Sequence, residues 1–162
     1  MQIIQHVASQ IALRAHNGQF YGGIESGIPY YEHLYDVVSN VTEMYEEEYD
    51  AFQEDSSLQA AAWLHDIIED CGFNQSLLYG SGMTKEVVDI VVAVTKLEGE
   101  TQEVYLNRIV EAGPNAIKLK LADSRANLSA TLSSPVSETQ QRRLEKYTSN
   151  LVFLNQALLN LA

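Results

Sequence analysis

Apolar residues recur at helical spacing along nearly the whole chain. Ile3, Ile4, Val7, Ile11, Ala12 and Ala15 predict a first helix over residues 3–16, stopped by Asn17-Gly18. The stretch from Gln19 to Ile28 holds three glycines and interrupts the pattern, which predicts a loop with unusual backbone angles. Pro29 suits the first turn of a second helix reaching about Tyr49, with His33, Val37, Val41 and Met44 on its inner face. Asp55, Ser56 or Ser57 can cap a third helix, in which Leu58, Ala61, Ala62, His65 and Ile68 form the inward stripe before Gly72 ends it.

The second half continues in the same manner. Leu77, Leu78 and Tyr79 suggest a short helical turn ahead of Gly80-Ser81-Gly82. Thr84 is placed to cap residues 85–97. The run from Val87 to Val94 is β-branched enough for a strand, but it lacks alternation and follows a cap, so a buried helix is expected. Thr101 to Ala112 reads as a helix closed by Gly113. Pro114 opens the next, which carries Ile117, Leu121, Ala122 and Leu128, and Pro135 opens the last, with Leu144, Leu151, Leu154 and Leu158 inward. The expectation is one all-α domain spanning residues 1–162.

One stretch does not fit a plain core helix. His65-Asp66-Ile67-Ile68-Glu69-Asp70 follows the apolar run Ala60 to Leu64, so an imidazole and three carboxylates crowd the end of a buried helix. Desolvating a carboxylate costs roughly several kcal/mol, and neighbouring like charges add to that, so a compensating cation is called for. The stretch therefore reads as half of a metal site. The remaining ligands should come from other helices. His33 stands in line with Val37 and Val41, and Asp123 sits in the otherwise apolar Leu121-Ala122-Asp123, with Asn127 one turn further on the same face. Each also has a plainer reading, as a core histidine bonded to a carbonyl or a helix carboxylate bonded to a neighbour.

Composition narrows the chemistry. A net charge of −12 over 162 residues argues against gripping a nucleic-acid polymer, whose affinity comes from Lys and Arg on phosphates. A small anionic substrate remains compatible, because a metal and a few local cations can dominate the field in a cleft. No apolar run approaches the roughly 20 residues of a membrane span, and no leader pattern opens the chain. The single cysteine, Cys71, has no internal partner, and a cytoplasmic, unprocessed protein is expected. The acidic run Glu46-Glu47-Glu48 with Asp50 reads as a solvated face.

The order His33, His65-Asp66, Asp123 resembles the HD superfamily of metal-dependent phosphohydrolases, and more narrowly the hydrolase domain of RelA/SpoT homologues and small alarmone hydrolases. The resemblance runs from Ala15-His16-Asn17-Gly18-Gln19 through Gly27-Ile28-Pro29-Tyr30 and into the final helix. Its strongest pieces are Ala62 to Asp70, Val94-Thr95-Lys96-Leu97, and Lys120-Leu121-Ala122-Asp123 with Asn127-Leu128. It implies an HD-type helical fold, a Mn²⁺ ion held by His33, His65, Asp66 and Asp123, and removal of pyrophosphate from the 3′ position of (p)ppGpp. It further implies that Glu69 and Asp70 position or deprotonate the attacking water, that Asn127 lines the site, and that Arg143 and Tyr147 meet the substrate's phosphates.

The residue types suit that chemistry. A divalent ion lowers the pKa of water toward about 7 and withdraws charge from phosphoryl oxygens. Glu69, one turn from His65, is placed to take the proton. Lys96, Lys120 and Arg143 are available to offset substrate charge, while Lys118 reads as a surface ion pair. Alarmone hydrolases of this kind carry an Arg-Lys pair in the first loop; here Phe20 to Ser26 has no positive charge, and Tyr21 or Phe20 is a candidate to stack on a purine, with an ordinary loop anchor as the plainer reading. The alternatives are the same metal chemistry on NADPH or a nucleoside phosphate, or a catalytically silent nucleotide-binding module.

Overall fold

The structure is a computed structural model that describes residues 3–48 and 56–161. Asp50, Asp55 and the side chains of Glu46, Glu47 and Glu48 lie outside the described residues. In chain order the helices are α1 (Ile3–Ala15), α2 (Tyr30–Glu48), α3 (Ser56–Leu64), α4 (Ile67–Cys71), α5 (Gln75–Gly80), α6 (Lys85–Val94), α7 (Gln102–Ala112), α8 (Pro114–Leu132) and α9 (Glu138–Leu161). Among the described residues there is no strand, only an isolated bridge between Phe20 and Pro29 that pinches the first loop shut. The all-α expectation holds, including the β-branched run of α6.

α8 is the hub. It packs against α2 on one side and α9 on another, and also touches α3, α6 and α7. A helix surrounded in this way must be apolar nearly all round, and Ala116, Ile117, Leu119, Leu121, Ala122 and Ala126 are all buried. Leu34, Val37 and Val41 of α2 and Leu58, Ala61, Ala62 and Leu64 of α3 complete the centre. Each large aliphatic side chain so enclosed contributes roughly 1.5–3 kcal/mol. Asn40 Nδ2 donates to Ala122 O at 2.9 Å, pinning α2 to α8 one residue before Asp123.

Helix ends follow local chemistry. Thr84 and Thr101 accept from the backbone N–H of Val87 and Val104, as Ncap threonines do. Gly72 closes α4 in the left-handed region at φ 70°, where a side chain would be strained. Four boundaries differ from the sequence-based expectation. Pro29 lies just outside α2, held in the bridge to Phe20. α6 stops at Val94, because Thr95 turns to an extended conformation and the carbonyls of Val92, Ala93 and Thr95 are taken by the Arg108 guanidinium. α9 starts at Glu138, where Ser137 Oγ accepts from Gln140 N, rather than at Pro135.

The fourth difference bears on the site. The third predicted helix is broken at His65-Asp66 into α3 and α4. A continuous helix separates consecutive side chains by about 100° around its axis. The break, with Asp66 at φ −102° and ψ 0°, lets the two neighbours reach one point, His65 Nε2 lying 2.9 Å from Asp66 Oδ2.

Candidate metal centre

Four side chains from three places in the sequence converge beneath the end of α3. His33 Nε2 lies 3.3 Å from His65 Nε2, 3.3 Å from Asp123 Oδ1 and 3.6 Å from Asp66 Oδ2. His65 Nε2 lies 3.7 Å from Asp123 Oδ1. Donors about 3 Å apart are what metal–ligand bonds of roughly 2.0–2.2 Å impose around one ion. His33, His65 and Asp66 form a group able to hold a metal ion, and Asp123 reaches both imidazoles. His33 and His65 are buried, and the Asp66 side chain keeps 21% of its surface exposed, which leaves one open approach.

The donor set fits a divalent transition metal. His65 Nδ1 is 2.8 Å from Ala62 O, and a carbonyl only accepts. The neutral ring therefore keeps its proton on Nδ1 and turns the Nε2 lone pair toward the cluster, the orientation a metal requires. Two neutral imidazoles and two carboxylates make a nitrogen and oxygen set suited to such an ion.

The electrostatics describe how the cluster is held by protons alone. Burial opposes a charge on His33, but hydrogen bonds to Asp123 and Asp66 outweigh it and raise the ring to about 9. His65 is likewise raised, burial being outweighed by the charge of Asp66. Burial pushes both carboxylates upward, yet the His65 and His33 rings hold Asp66 well below its usual range, and Lys120 with the same rings does so for Asp123. The pocket thus demands positive charge between its two carboxylates.

Two flanks of different character border the cluster. On one, Tyr30 Oη lies 2.6 Å from Asp66 Oδ2 and 2.9 Å from Asp70 Oδ2, so one hydroxyl serves both acids. The His16 ring stacks on Tyr30 at 4.6 Å, and His16 Nδ1 meets Gln19 Oε1 at 2.7 Å and Cys71 Sγ at 3.5 Å. Tyr21 stacks on His33 at 4.8 Å and donates to Asn127 Oδ1 at 2.6 Å, while Asn127 Nδ2 donates to Asp123 Oδ1 at 2.5 Å. Burial raises the Tyr21 and Tyr147 phenols and Asp123 adds to this in each; Arg143 works against it in both, and Lys120 does so more strongly for Tyr147, whose ring also has Lys146 Nζ at 5.2 Å.

The other flank is a small cavity of about 100 Å³, which His65, Asp66 and Asp123 share with Glu69, Lys96, Lys120 and Lys146. Glu69 accepts from the backbone N–H of Lys96. Burial raises its carboxyl, the Lys96 N–H works against this, and Asp66 adds to the rise. Lys120 Nζ pairs with Asp123 Oδ2 at 2.7 Å. The ring of Tyr105, whose hydroxyl donates to Val94 O, lies under Lys120 and Lys96 at 5.2 and 5.9 Å. Burial pushes the Tyr105 phenol up to about 12 against the pull of Lys120.

The structure brings together the four predicted ligands and sets Asn127 and Tyr21 beside them, but it parts Glu69 from Asp70, one on each flank. Tyr21 uses one ring face on His33 and its hydroxyl on Asn127. Sequence reasoning gave no role to Tyr30, Tyr105 or Lys146. Tyr30 stood in the Gly27-Ile28-Pro29-Tyr30 motif, a usable signal; Lys146 looked like any solvated lysine.

No family model and no curated protein sequence matches the chain. Solved structures do, among them one described as a metazoan ortholog of SpoT that hydrolyzes ppGpp and plays a role in starvation responses. The alignment has a TM-score of 0.71 at 22% identity and covers 99% of this chain and 94% of that one. The chain thus has the all-α fold of that hydrolase.

Proposed function

We propose that this chain is a divalent-metal-dependent phosphohydrolase that removes pyrophosphate from the 3′ position of (p)ppGpp. The observation that carries the reading is the convergence of His33, His65, Asp66 and Asp123 on one point, in a fold shared with a ppGpp hydrolase. His33, His65, Asp66 and Asp123 would hold the ion, with Mn²⁺ as the assigned metal. When bound, such an ion supplies Lewis acidity toward a phosphoryl oxygen and acidifies water.

The chain's own groups do the rest. Glu69, which lines the lysine cavity, takes the proton of the attacking water; its Lys96 N–H contact and the Asp66 charge act in opposite directions on its basicity. The water oxygen bonds to phosphorus as the bond to the 3′ oxygen breaks, and the proton held by Glu69 passes to that leaving oxygen. Asp70, tied through Tyr30 to Asp66, positions rather than deprotonates. Asn127 and Lys120 fix the two oxygens of Asp123 in place. Arg143 and Tyr147 face the substrate from α9. A cytoplasmic setting suits the free thiol of Cys71.

A second reading, the same chemistry on another nucleotide such as NADPH, draws on the loop from Phe20 to Ser26, which has no cation and whose Tyr21 is already bonded to Asn127. A Mn²⁺-dependent screen over ppGpp, pppGpp, NADPH and common nucleotides, resolving pyrophosphate from orthophosphate, separates the two. Pyrophosphate from ppGpp is expected. Orthophosphate from a different nucleotide would favour the second reading, and no product from a metal-loaded chain would leave a nucleotide-binding module.

A further inference from the structure

Two of the three lysines on the lysine flank have no ion-pair partner among the described residues. Lys96, Lys120 and Lys146 line one cavity, in a chain with 22 acidic and 10 basic residues. Lys120 is neutralised by Asp123 at 2.7 Å. Among the described residues neither Lys96 nor Lys146 makes an ion pair: Lys96 Nζ donates to the neutral Gln102 Oε1 at 3.3 Å, and Lys146 Nζ stands 5.2 Å from the ring of Tyr147. Gln102 is itself fixed by Asn150 of α9 at 3.0 Å. The cavity's carboxylates are engaged elsewhere, Asp123 with Lys120 and Glu69 with the Lys96 backbone N–H, so the Lys96 and Lys146 amines line the cavity without an ion pair and are open to a bound anion. Burial lowers the Lys146 ammonium and Lys120 and Lys96 lower it further, while Asp123 and Glu69 work the other way.

We infer that Lys146, together with Lys96, forms an anion-binding subsite that takes the outer phosphate of a pyrophosphoryl group lying over the His33, His65, Asp66 and Asp123 cluster. The inference rests on the phosphohydrolase reading and sharpens it into a specificity device. A pyrophosphoryl group carries a second, terminal phosphate that a monophosphate lacks, and only that phosphate needs the two lysines. On α9, Lys146 lines the cavity with its Nζ 5.2 Å from the neighbouring Tyr147 ring, so that helix brings the subsite to the edge of the cluster.

The test is calorimetric titration of inorganic pyrophosphate, and of orthophosphate, into the full chain with and without Mn²⁺. Lys146→Ala is expected to weaken pyrophosphate by about tenfold, the scale of a lost charge-assisted hydrogen bond. Orthophosphate should change far less, Lys146→Arg should recover most of the loss, and Mn²⁺ stoichiometry and the circular dichroism spectrum should stay those of the parent. Equal pyrophosphate affinity in parent and Lys146→Ala, no pyrophosphate binding by the parent, or an Arg variant as weak as the Ala variant would each overturn the subsite. Failure to hydrolyse ppGpp with the pyrophosphate result intact would sink the alarmone reading and leave the subsite standing.

Discussion

The two flanks of the cluster solve opposite problems. On the aromatic flank the polar groups are largely spent inside the protein, Tyr30 on Asp66 and Asp70, Tyr21 on Asn127 and His16 Nδ1 on Gln19, while the buried His16 Nε2 has no partner among the described residues. On the lysine flank Lys96 and Lys146 are left without a carboxylate partner among the described residues. A saturated network fixes geometry, whereas an unsaturated one waits for a ligand. On the proposed function, the difference separates the side that builds the centre from the side that would receive the charged part of a substrate.

The comparison fails at its root if the cluster between the flanks is not a metal centre. His65→Ala or Asp66→Ala should abolish stoichiometric Mn²⁺ binding, read by elemental analysis of the dialysed protein. Full occupancy in both variants would remove the centre. Next in size, Glu69→Gln should keep the metal and lose turnover by roughly 10²–10⁴-fold, the range of a general base. An unchanged rate would move proton transfer to the other flank, to Asp70. Tyr30→Phe tests whether the aromatic flank really orients ligands. It should cost about 10–100-fold in Mn²⁺ affinity or in kcat, as loss of a ligand's hydrogen-bond partner does, with the fold intact. A variant indistinguishable from the parent would make that flank mere packing.

The smallest effect probes what holds the lysine flank in place. Arg108 grips Glu100 through two hydrogen bonds of 2.8 and 2.9 Å and the carbonyls of Ala93 and Thr95 at 2.8 Å, fixing the turn that presents Lys96. The Arg108 hydrogen bond is the largest cause holding the Glu100 carboxyl at about 2 instead of 4.5. A depressed carboxyl stabilises the fold above its ordinary value, and that contribution disappears as pH falls through the lower one. Glu100→Gln should therefore lower Tm by roughly 2–4 °C at neutral pH. The gap to the parent should close near pH 2. A gap independent of pH would mean that charge is not what secures the turn.

Much of this was legible in the chain itself. His33 could be placed because it shares a helical face with Val37 and Val41, and Asp123 because an acid amid Leu121 and Ala122 is conspicuous. Such signals are local, carried by periodicity within one helix. Lys146 and Tyr105 gave none, since what matters about them is which helix lies opposite, and neither composition nor spacing encodes that. The opposite placements of Glu69 and Asp70 were hidden for a related reason: adjacent acids look equivalent until the backbone turns them to different neighbours. The break after Leu64 was missed because Ala60 to Asp70 has no helix-breaking residue; the convergence of His65 and Asp66 overrides helix propensity there.

That break sets unequal tolerances for change in the chain. His33 and Asp123 ride on helices of 19 residues each, where a shift of one position swings a side chain by about 100° but a shift of a full turn nearly restores its direction. His65 and Asp66 have no such periodic escape. Their meeting depends on a single peptide joining the end of one helix to the start of another, so even one residue inserted between them should separate the pair with no nearby register to recover it.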